Sequence, residues 1–297
     1  GTHLCHKLLK ESYSVIGIDN FKTGKEENLS VSMKNPKFNF IELDVKEYLD
    51  FDVDLIFNLA CPASPEKYPS DPIDTMLTCV NGVLNCLNLA KRKGAIMIHA
   101  STSEIYGDPK ESPQEESYHG NVNCYGPRAC YDEGKRAAEA LVYDHRNMFN
   151  TDCRIVRIFN TYGPFMSADD GRVVSNFINQ ALNEKPITIY GNGKQTRSFC
   201  YVDDLIEGIF NLSQLESYDA GPINLGNDQE FSLLELCKKI ELLIGKRLKL
   251  SYLPLPVNDP KIRRPDIKKA KSILNWEPKI NLDEGLKRSI KYFENLL

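Results

Sequence analysis

The chain has 297 residues, of which 41% are hydrophobic and 26% are charged, and its formal net charge at pH 7 is −4. This length suits one large α/β unit or two domains with a sizeable core. The glycine and proline contents are ordinary and no long apolar run occurs, which excludes disordered, collagen-like and transmembrane classes of protein. The mildly acidic balance argues against nucleic acid as the main partner, because counterion release needs clustered Lys and Arg.

Short apolar strands and amphipathic helices alternate along most of the chain. Apolar residues recur at helical spacing in the first ten residues, and a β-branched run that ends at Asp19 follows them. The same patterns predict strands at 38–43, 54–59, 95–100, 154–158 and 223–225, and helices at 74–91, 131–149, 173–182 and 203–212. Continuous apolar strands between helices indicate an α/β fold with a Rossmann-like, doubly wound parallel sheet.

The character of the sequence changes after about Asn160, where turns marked by glycine and proline become frequent. The strand at 223–225 follows a predicted helix, so we expect the chain to return to the first domain there. The predicted first domain therefore comprises residues 1–160, rejoined by about 199–226. Residues 161–198 and 227–297 are predicted to form a smaller, loop-rich C-terminal lobe, with a ligand cleft between the two parts.

The nine cysteines include no Cys-x-x-Cys pair. Most of them lie in apolar stretches, where cysteine behaves as a small hydrophobic residue. We therefore expect a reducing, cytoplasmic environment with neither a disulfide framework nor a metal site. The sequence opens at Gly1 without Met or a signal peptide and shows no membrane segment, and an anchor upstream of Gly1 would not be seen in it.

Asp19 ends the first predicted strand. In dinucleotide-binding βαβ units an acidic residue at this point binds the adenosine ribose hydroxyls and repels a 2′-phosphate, so Asp19 favours NAD over NADP. A solvated turn aspartate is the alternative interpretation. The glycine-rich phosphate loop that precedes such a residue does not occur in this sequence. We therefore expect the first domain to be incomplete at its N-terminus, with one further strand and most of that loop upstream of Gly1.

Tyr131 and Lys135 stand four residues apart on a predicted helix, so the phenol and the ammonium group share one face. A nearby cation lowers the pKa of a phenol and makes it usable as an acid or base near neutral pH. The same spacing recurs at 106–110 and 190–194, but proline or glycine inside those segments excludes a helix. Only the first pair has the structural context that this chemistry needs.

Hydroxyl and carboxylate side chains at 101–107 follow the predicted strand at 95–100. Ligands of open α/β sheets bind at the carboxyl ends of strands, so these side chains are expected to face the cleft, although a capping turn would have the same composition. Cations of the second half stand next to glycine, proline or aromatic residues and suit an anionic substrate: Arg172, Lys194, Arg197, Arg263 and Arg264.

Eight segments together carry a more specific signal: 19–24, 62–65, 101–108, 126–136, 157–164, 170–177, 193–199 and 264–267. With them the chain, from Gly1 to about Pro278, resembles the extended short-chain dehydrogenase/reductase superfamily. Within that superfamily it is most similar to the UDP-glucuronate decarboxylase (UDP-xylose synthase) family. The resemblance implies bound NAD on the first domain and a UDP-sugar held mainly by the smaller lobe.

The resemblance also implies roles for individual residues. The dehydrogenase triad would be Thr102, Tyr131 and Lys135, and Ser103, Glu104 and Arg263 would complete the catalytic set. The implied cofactor-binding residues are Asp19, Asn20, Thr23, Gly24, Asp44, Val45, Leu59, Ala60, Thr78, Tyr131 and Lys135. The implied substrate-binding residues are Asn160, Arg172, Tyr190, Gln195, Arg197 and Arg263.

The reaction implied by the resemblance is NAD-dependent decarboxylation of UDP-glucuronate to UDP-xylose. Oxidation at C4 gives a 4-keto intermediate whose carbonyl lies β to the C5 carboxylate and accepts the electrons released as CO₂ leaves. Arg263 would lie near that carboxylate or donate a proton. The cofactor is regenerated within one turnover and is therefore expected to stay bound.

Three alternatives remain at the level of the sequence. A dTDP-glucose 4,6-dehydratase generally has Asp after the threonine, as the acid for water elimination, where this chain has Ser103. A 4-epimerase is disfavoured by the pair 103–104 and by the segment 263–266, which resemble the decarboxylases. The third alternative is a non-catalytic relative that keeps the fold, against which the complete triad argues.

The chain departs from the pattern of the family at three positions. Leu77 replaces a usual Lys, Phe165 a usual Arg and Cys200 a usual Gln. Loss of a pocket lysine at position 77 would weaken substrate or cofactor binding or shift specificity. The resemblance further implies a homodimer that packs through the predicted helices at 74–91 and 131–149.

Overall fold

The computed structural model describes residues 1–255 and 262–296, so residues 256–261 and 297 of the predicted lobe lie outside the described residues. The strands are β1 Val15–Asp19, β2 Phe38–Glu42, β3 Leu55–Asn58, β4 Ile96–Thr102, β5 Cys153–Ile158, β6 Thr161–Tyr162, β7 Ile187–Tyr190, β8 Thr196–Ser198, β9 Cys200–Tyr201, β10 Ile223–Leu225, β11 Glu230–Ser232 and β12 Leu250–Leu253. The helices are α1 Thr2–Lys10, α2 Pro72–Leu77, α3 Val83–Lys93, α4 Ala129–Phe149, α5 Val173–Leu182, α6 Val202–Ser213, α7 Leu233–Ile244, α8 Lys268–Leu274 and α9 Leu282–Glu294. Across the described ranges, every helix is too short or too polar to cross a bilayer.

The central sheet is parallel, which confirms the predicted Rossmann-like architecture. Strands β10, β5, β4 and β3 lie side by side in that order, and β1 pairs with β2 in a separate two-stranded parallel sheet. Strand β10 pairs with β5, so the chain adds a strand to the central sheet at 223–225. Helices α1 and α6 and the strands of both sheets share one apolar core, and α3 and α4 pack on a second.

The predicted helix at 74–91 is wrong as a single element. Asp71 caps the helix α2, which begins at Pro72, and a π-helical turn at Thr78–Gly82 separates α2 from α3. The Thr78 hydroxyl donates to the carbonyl of Asp74 at 2.8 Å. Side-chain bonds of this kind compete with the helical backbone ladder and bend helices, which gives a physical reason for the break.

Strand β4 ends two residues later than predicted, because it runs through Ser101 and Thr102. Both residues pair with β5, opposite Arg157 and Ile158, and both are buried. The following residues, Ser103–Tyr106, form a 3₁₀ turn that the Thr102 hydroxyl caps by accepting the N–H of Glu104 at 3.2 Å. The threonine is thus fixed by the sheet, and the carboxylate after it by the turn.

The smaller lobe has its own core and more regular structure than predicted. Helices α5, α7 and α9 pack around the parallel pair β7 and β12, and β8 pairs antiparallel with β11. The segment from Ile267 to Trp276, which contains α8, differs from the predicted division, since its apolar side chains lie in the core of the first sheet. Trp276 donates to the carbonyl of Asp204 on α6 at 2.7 Å.

Candidate active site

A cavity of about 350 Å³ lies at the carboxyl ends of β4 and β5. Its size falls within the range of small-molecule sites. The end of β4 and the turn after it, the first turns of α4 and the segment 158–166 form much of its wall. Its lining carries three cations and one carboxylate, so the cavity suits an anionic ligand: Lys135, Arg172, Arg263 and Glu104.

Thr102, Tyr131 and Lys135 meet in this cavity as predicted from the sequence. The Thr102 hydroxyl hydrogen-bonds the phenol of Tyr131. Lys135 lies one turn along α4, with Nζ 6.0 Å from the centre of the Tyr131 ring, and it donates to the carbonyl of Ala100 at 2.8 Å. The strand end and the helix thus bring a hydroxyl, a phenol and an ammonium group to one wall.

The predicted lowering of the Tyr131 pKa is wrong for the protein without ligands. Burial raises the pKa of Tyr131 well above its ordinary value, and the hydrogen bond from Thr102 acts in the opposite direction without cancelling the rise. The phenol is only 5% exposed, so the cost of burying a phenolate outweighs the spacing that the sequence shows. Burial therefore favours the protonated phenol of Tyr131 over its phenolate.

The ring of Tyr131 is held by residues that the sequence did not single out. Tyr68 stacks on it with a centroid distance of 5.1 Å and an angle of 9° between the rings. The thiols of Cys61 and Cys79 lie beside the pair with 3.3 Å between their sulfur atoms. The hydrogen bond from Cys61 and the nearby Lys135 lower the pKa of Cys79 to about 7, although burial acts in the opposite direction.

Glu104 is clamped by two arginines. Arg263 approaches both carboxylate oxygens at 2.7 Å, and Arg128 donates to Oε2 at 2.6 Å. Burial raises the pKa of Glu104, but the two guanidinium groups lower it more, so the carboxylate stays ionised. Ser103 lies beside it, buried in the cavity wall.

Most residues predicted to bind the cofactor lie at or just after the carboxyl ends of β1, β2 and β3, whereas Thr78, Tyr131 and Lys135 lie in helical segments. The exposed Asp19 carboxylate accepts the N–H of Phe21 at 2.8 Å, and a Cβ on Gly24 would lie 3.2 Å from it, so the turn 20–24 wraps closely around this carboxylate. Asn20 donates to Asp44 at 3.0 Å.

Two further observations test whether these residues fit a dinucleotide. The Nδ2 of Asn58, buried at the end of β3, has no hydrogen-bond partner among the residues described. Leu59 follows Asn58 and lines the cavity. Gly82 passes so close to Val45 that a Cβ there would lie 2.6 Å from Cγ1. A free buried donor between an acidic turn and the cavity fits a polar ligand such as NAD.

The predicted substrate-binding residues divide into two groups. Asn160, Arg172 and Arg263 line the cavity. Arg172 is held by the Asp170 carboxylate at 2.5 and 2.8 Å. The remaining three predicted substrate-binding residues lie outside that lining: Tyr190, Gln195 and Arg197. The predicted cofactor-binding residues before Leu59 also lie outside it, as do Ala60 and Thr78.

The three departures from the family pattern occupy different surroundings. Leu77 is exposed at the end of α2, and Cys200 is fully buried in the core. Phe165 lines the cavity and contacts His3 of α1 and Tyr292 of α9, with ring centroids 5.2 and 5.4 Å away. An aromatic contact between α1 and α9 thus stands at the position where the resemblance leads us to expect an arginine.

Sequence reasoning missed Arg128 and Asp132, which sit within the segment 126–136 but received no role. Their spacing of four residues at the start of α4 is the signal that could have found them, because such a pair shares one helix face. Arg128 Nε lies 3.7 Å from Asp132 Oδ2. Among the described residues, no group of three or more His, Cys, Asp or Glu has the geometry of a metal site.

The parallel sheet, the acidic end of β1 and the Tyr-x-x-x-Lys pair in the cavity define a dinucleotide-binding oxidoreductase fold of the short-chain type. The profile of the NAD dependent epimerase/dehydratase family matches residues 1–226. The chain is 52% identical over 295 residues to UDP-glucuronic acid decarboxylase 1 of Arabidopsis thaliana, with 99% of this chain and 67% of that protein covered. For UDP-glucuronic acid decarboxylase 1 of Danio rerio the identity is 48%, with 100% and 71% covered. The chain belongs to the NAD dependent epimerase/dehydratase family and, within it, to the UDP-glucuronic acid decarboxylases.

Solved structures agree with this assignment of the fold. A UDP-glucuronic acid 4-epimerase from Bacillus cereus, in complex with UDP-glucuronic acid and NAD, superposes with a TM-score of 0.91 at 29% identity, with 100% of this chain and 96% of that chain covered. A UDP-glucose 4-epimerase from Thermotoga maritima, with UDP-glucose, gives 0.90 at 26% identity, with 100% and 96% covered. The chain spans about two thirds of the length of UDP-glucuronic acid decarboxylases 1 and 4 of Arabidopsis thaliana.

Proposed function

We propose that the chain decarboxylates UDP-glucuronate to UDP-xylose through a 4-keto intermediate, with NAD as a resident cofactor. The observation that carries the proposal is the conjunction of the Thr102, Tyr131 and Lys135 group with the Glu104–Arg263 pair in one cavity. The first group suits oxidation of a hydroxyl, and the second suits a substrate that bears a carboxylate. Relatives with about half of their residues identical carry the name of this activity.

When bound, NAD supplies a reversible hydride acceptor. Asp19 and the turn after it would hold the adenosine ribose, and Asp44 and Val45 would contact the adenine. Thr102 orients the phenol of Tyr131. Burial favours the protonated phenol, so the positive charges of Lys135 and of bound NAD would have to favour the phenolate before its Oη takes the proton of the C4 hydroxyl and later returns it. Lys135, one turn along the helix, stabilises the phenolate by its charge.

Arg263 binds the C5 carboxylate in this proposal and leaves proton donation to other groups. Glu104 engages both of its terminal nitrogens, so the guanidinium is fixed in plane and charged. A fixed cation beside the carboxylate orients it against the C4 carbonyl that receives the electrons as CO₂ leaves. Arg172 and Asn160 line the same cavity and would hold the remaining anionic and polar parts of the UDP-sugar.

The test is incubation of the purified protein with NAD and UDP-glucuronate, with CO₂ and the nucleotide sugar followed by mass spectrometry. We expect release of CO₂ and formation of a UDP-pentose. A product that keeps its carboxylate and is inverted at C4 would identify a 4-epimerase instead. Unchanged UDP-glucuronate alongside turnover of dTDP-glucose would identify a dehydratase, and no reaction with either substrate would identify a non-catalytic relative.

We further propose that the protein acts as a cytoplasmic homodimer and that the two lobes divide near residues 160, 199 and 226. Apolar side chains on α2, α3 and α4 support a helical dimer interface: Ile73, Leu77, Leu84, Tyr143 and Met148 are exposed. Free thiols at all nine cysteines accord with a reducing compartment. Analytical ultracentrifugation should give twice the chain mass, and a Tyr143→Glu variant should shift it to the mass of one chain.

A further inference from the structure

Behind the Glu104–Arg263 pair lies a second pair of charged side chains that the proposed chemistry does not use. Arg128 precedes α4, and Asp132 stands in its first turn, directly after Tyr131. Asp132 is buried and the Arg128 side chain is 12% exposed, and neither residue is part of the cavity lining. We therefore expect them to act on a substrate through Glu104, which Arg128 contacts and which does line the cavity.

Arg128 connects the two halves of the site. One nitrogen, Nη2, donates to Glu104 at 2.6 Å, and the guanidinium lies 5.9 Å from the ring centre of Tyr68, which stacks on Tyr131. Glu104 in turn holds Arg263. The orientation of the cation that faces the substrate thus depends on a carboxylate that Arg128 fixes from behind.

Asp132 is in an unfavourable environment for a carboxylate. It is 6% exposed, its Oδ2 lies 3.7 Å from Arg128, and its Oδ1 has no hydrogen-bond partner among the residues described. Burial and the charge of Glu104 raise the pKa of Asp132 to about 7, although the charges of Arg128 and Arg263 act in the opposite direction. The charged or titratable groups that face Asp132 are Glu104, Arg128, Arg263, Tyr68, Cys130 and Glu133.

The charges of this cluster depend on one proton. Among the described residues, Arg128 and Arg263 contribute two positive charges and Glu104 and ionised Asp132 two negative ones, and protonation of Asp132 makes the cluster more positive by one charge. That charge lies in the cluster that contains the Glu104–Arg263 pair, since Glu104 and Arg263 both act on the Asp132 carboxyl. A carboxylate brought against Arg263 is bound more strongly by the positive form, since little water separates the groups.

We propose that Arg128 is a positioning residue that fixes Glu104 and thereby Arg263, and that the protonation of Asp132 switches the charge of the cluster behind the substrate carboxylate. This inference rests on the proposed function for the identity of that carboxylate. It adds two residues to the reaction, neither of which touches the substrate. It also confines their effect to substrates that carry a carboxylate.

Binding across pH tests the role of Asp132. With NAD-loaded protein carrying Tyr131→Phe to stop turnover, calorimetry at pH 6, 7 and 8 should show UDP-glucuronate binding weakening about fivefold as pH rises, roughly the effect of one partly screened charge. Adding Asp132→Asn, which cannot ionise, should abolish this pH dependence. UDP-glucose, which has no carboxylate, should bind with the same affinity at all three pH values in both proteins.

The matched control is Asp152→Asn, which breaks a bidentate pair with the buried Arg154 at the far end of β5. It should leave the pH dependence of UDP-glucuronate binding as it was. If UDP-glucuronate binding had the same pH dependence with and without Asp132→Asn, the proposed role of Asp132 would be overturned. It would also be overturned if UDP-glucose binding depended on pH as strongly as UDP-glucuronate binding does.

Arg128 is tested by kinetics. In Arg128→Met the kcat for CO₂ release should fall about 100-fold while KM changes less than threefold, because the residue orients reacting groups without binding substrate. Arg128→Lys keeps the charge and one donor and should recover part of kcat. Unchanged kcat in Arg128→Met would overturn the positioning role, as would an Arg128→Lys protein that is folded and no more active than Arg128→Met.

Failure of the proposed function and failure of this further inference give different results. If the wild-type protein releases no CO₂ from UDP-glucuronate but binds it with the expected pH dependence, the proposed function fails and the charge switch stands. If CO₂ is released and neither variant behaves as expected, the proposed function stands and this inference fails.

Discussion

At the scale of single residues, burial sets the properties of the site as much as residue type does. Tyr131 and Glu104 are both buried, yet the pKa of the phenol rises and that of the carboxyl falls. The difference lies in their partners, since two guanidinium groups reach Glu104 while Tyr131 is covered by Tyr68 and Thr102. Within the same cavity, the environment thus favours the protonated form of Tyr131 and the ionised form of Glu104.

Removal of the Tyr131 hydroxyl tests its role as acid and base. In Tyr131→Phe we expect kcat to fall about 10²- to 10⁴-fold, the usual contribution of a positioned acid or base. The unfolding temperature should stay the same, because the ring can keep its stack on Tyr68. Steady-state kinetics and thermal unfolding measure the two effects.

A matched control exists at Tyr106, which shares the Tyr-x-x-x-Lys spacing but hydrogen-bonds Asn224 in the core at 2.8 Å. Tyr106→Phe should lower the free energy of unfolding by about 1 kcal/mol and leave kcat within a few-fold. Equal losses of kcat in both variants would contradict the assignment of Tyr131.

Loss of the Glu104 charge should affect both stability and activity. Glu104→Gln leaves Arg128 and Arg263 without their shared anion, and breaking a buried pair costs about 3 kcal/mol. We expect a lower free energy of unfolding and at least a tenfold lower kcat for CO₂ release, since Arg263 loses its fixed orientation. Denaturant unfolding and CO₂ release measure these changes, and a Glu104→Gln protein as active as the wild type would show that the pair is structural only.

At the scale of elements, the site depends on how β4 ends. The strand carries Thr102 to the cavity, the 3₁₀ turn Ser103–Tyr106 presents Glu104, and Gly107 closes the turn with φ of 64°. A Cβ at position 107 would lie 2.1 Å from the carbonyl oxygen of Asn121. The backbone of the segment after the turn therefore lies where any side chain would project, so only glycine fits.

Two glycine substitutions separate this close approach from conformational strain. Gly94 ends α3 with φ of 67°, almost the same as Gly107, but a Cβ there meets nothing within 4 Å. Gly94→Ala should cost about 1 kcal/mol of the free energy of unfolding, the penalty of a left-handed alanine. Gly107→Ala should cost at least twice as much and lower kcat, because the turn that holds Glu104 must move. Denaturant unfolding compares the two, and equal losses would contradict the argument from close approach.

At the scale of the whole molecule, the cavity lies where the two cores meet. Glu104 and Tyr131 belong to the first sheet and α4, whereas Arg172 precedes α5 of the smaller lobe. Strands β6 and β9 pair next to the cavity, with Cys200 in the core of the first sheet and Tyr162 and Tyr201 in that of the lobe. A ligand in the cavity therefore touches both cores at once.

Such a ligand should stabilise the molecule as a whole. At a UDP-glucuronate concentration about 100 times its Kd, the free energy of unfolding should rise by about 2.7 kcal/mol. The sole tryptophan, Trp276, is buried in the first core, so its fluorescence reports unfolding of that core, and circular dichroism reports the chain. In the NAD-loaded Tyr131→Phe protein, the ligand should raise the unfolding temperature measured by fluorescence and by circular dichroism equally. A shift in only one of these signals would show that the ligand contacts only one core.

Much of the architecture could be predicted from local pattern. The helix at Val173–Leu182 and the strand at Ile223–Leu225 have the predicted bounds, because apolar periodicity and flanking turn residues specify them locally. The break between α2 and α3 could not be predicted, since it depends on where the Thr78 hydroxyl finds a carbonyl. The surroundings of α8 could not be predicted either, because periodicity shows which face is apolar but not which core covers it.

The sequence by itself determined the family, the parallel α/β fold and the residue types of the site, because these follow from periodicity and from motifs that are local in the chain. Only the tertiary structure decided how the charges are shared. Arg128, Glu104 and Arg263 come from three separate segments and meet in one buried cluster, and their attraction keeps Glu104 ionised there. Burial, which no short segment encodes, raises the pKa values of Tyr131 and Asp132. Charge and burial act through space between residues far apart in the chain, so their balance exists only in the folded molecule.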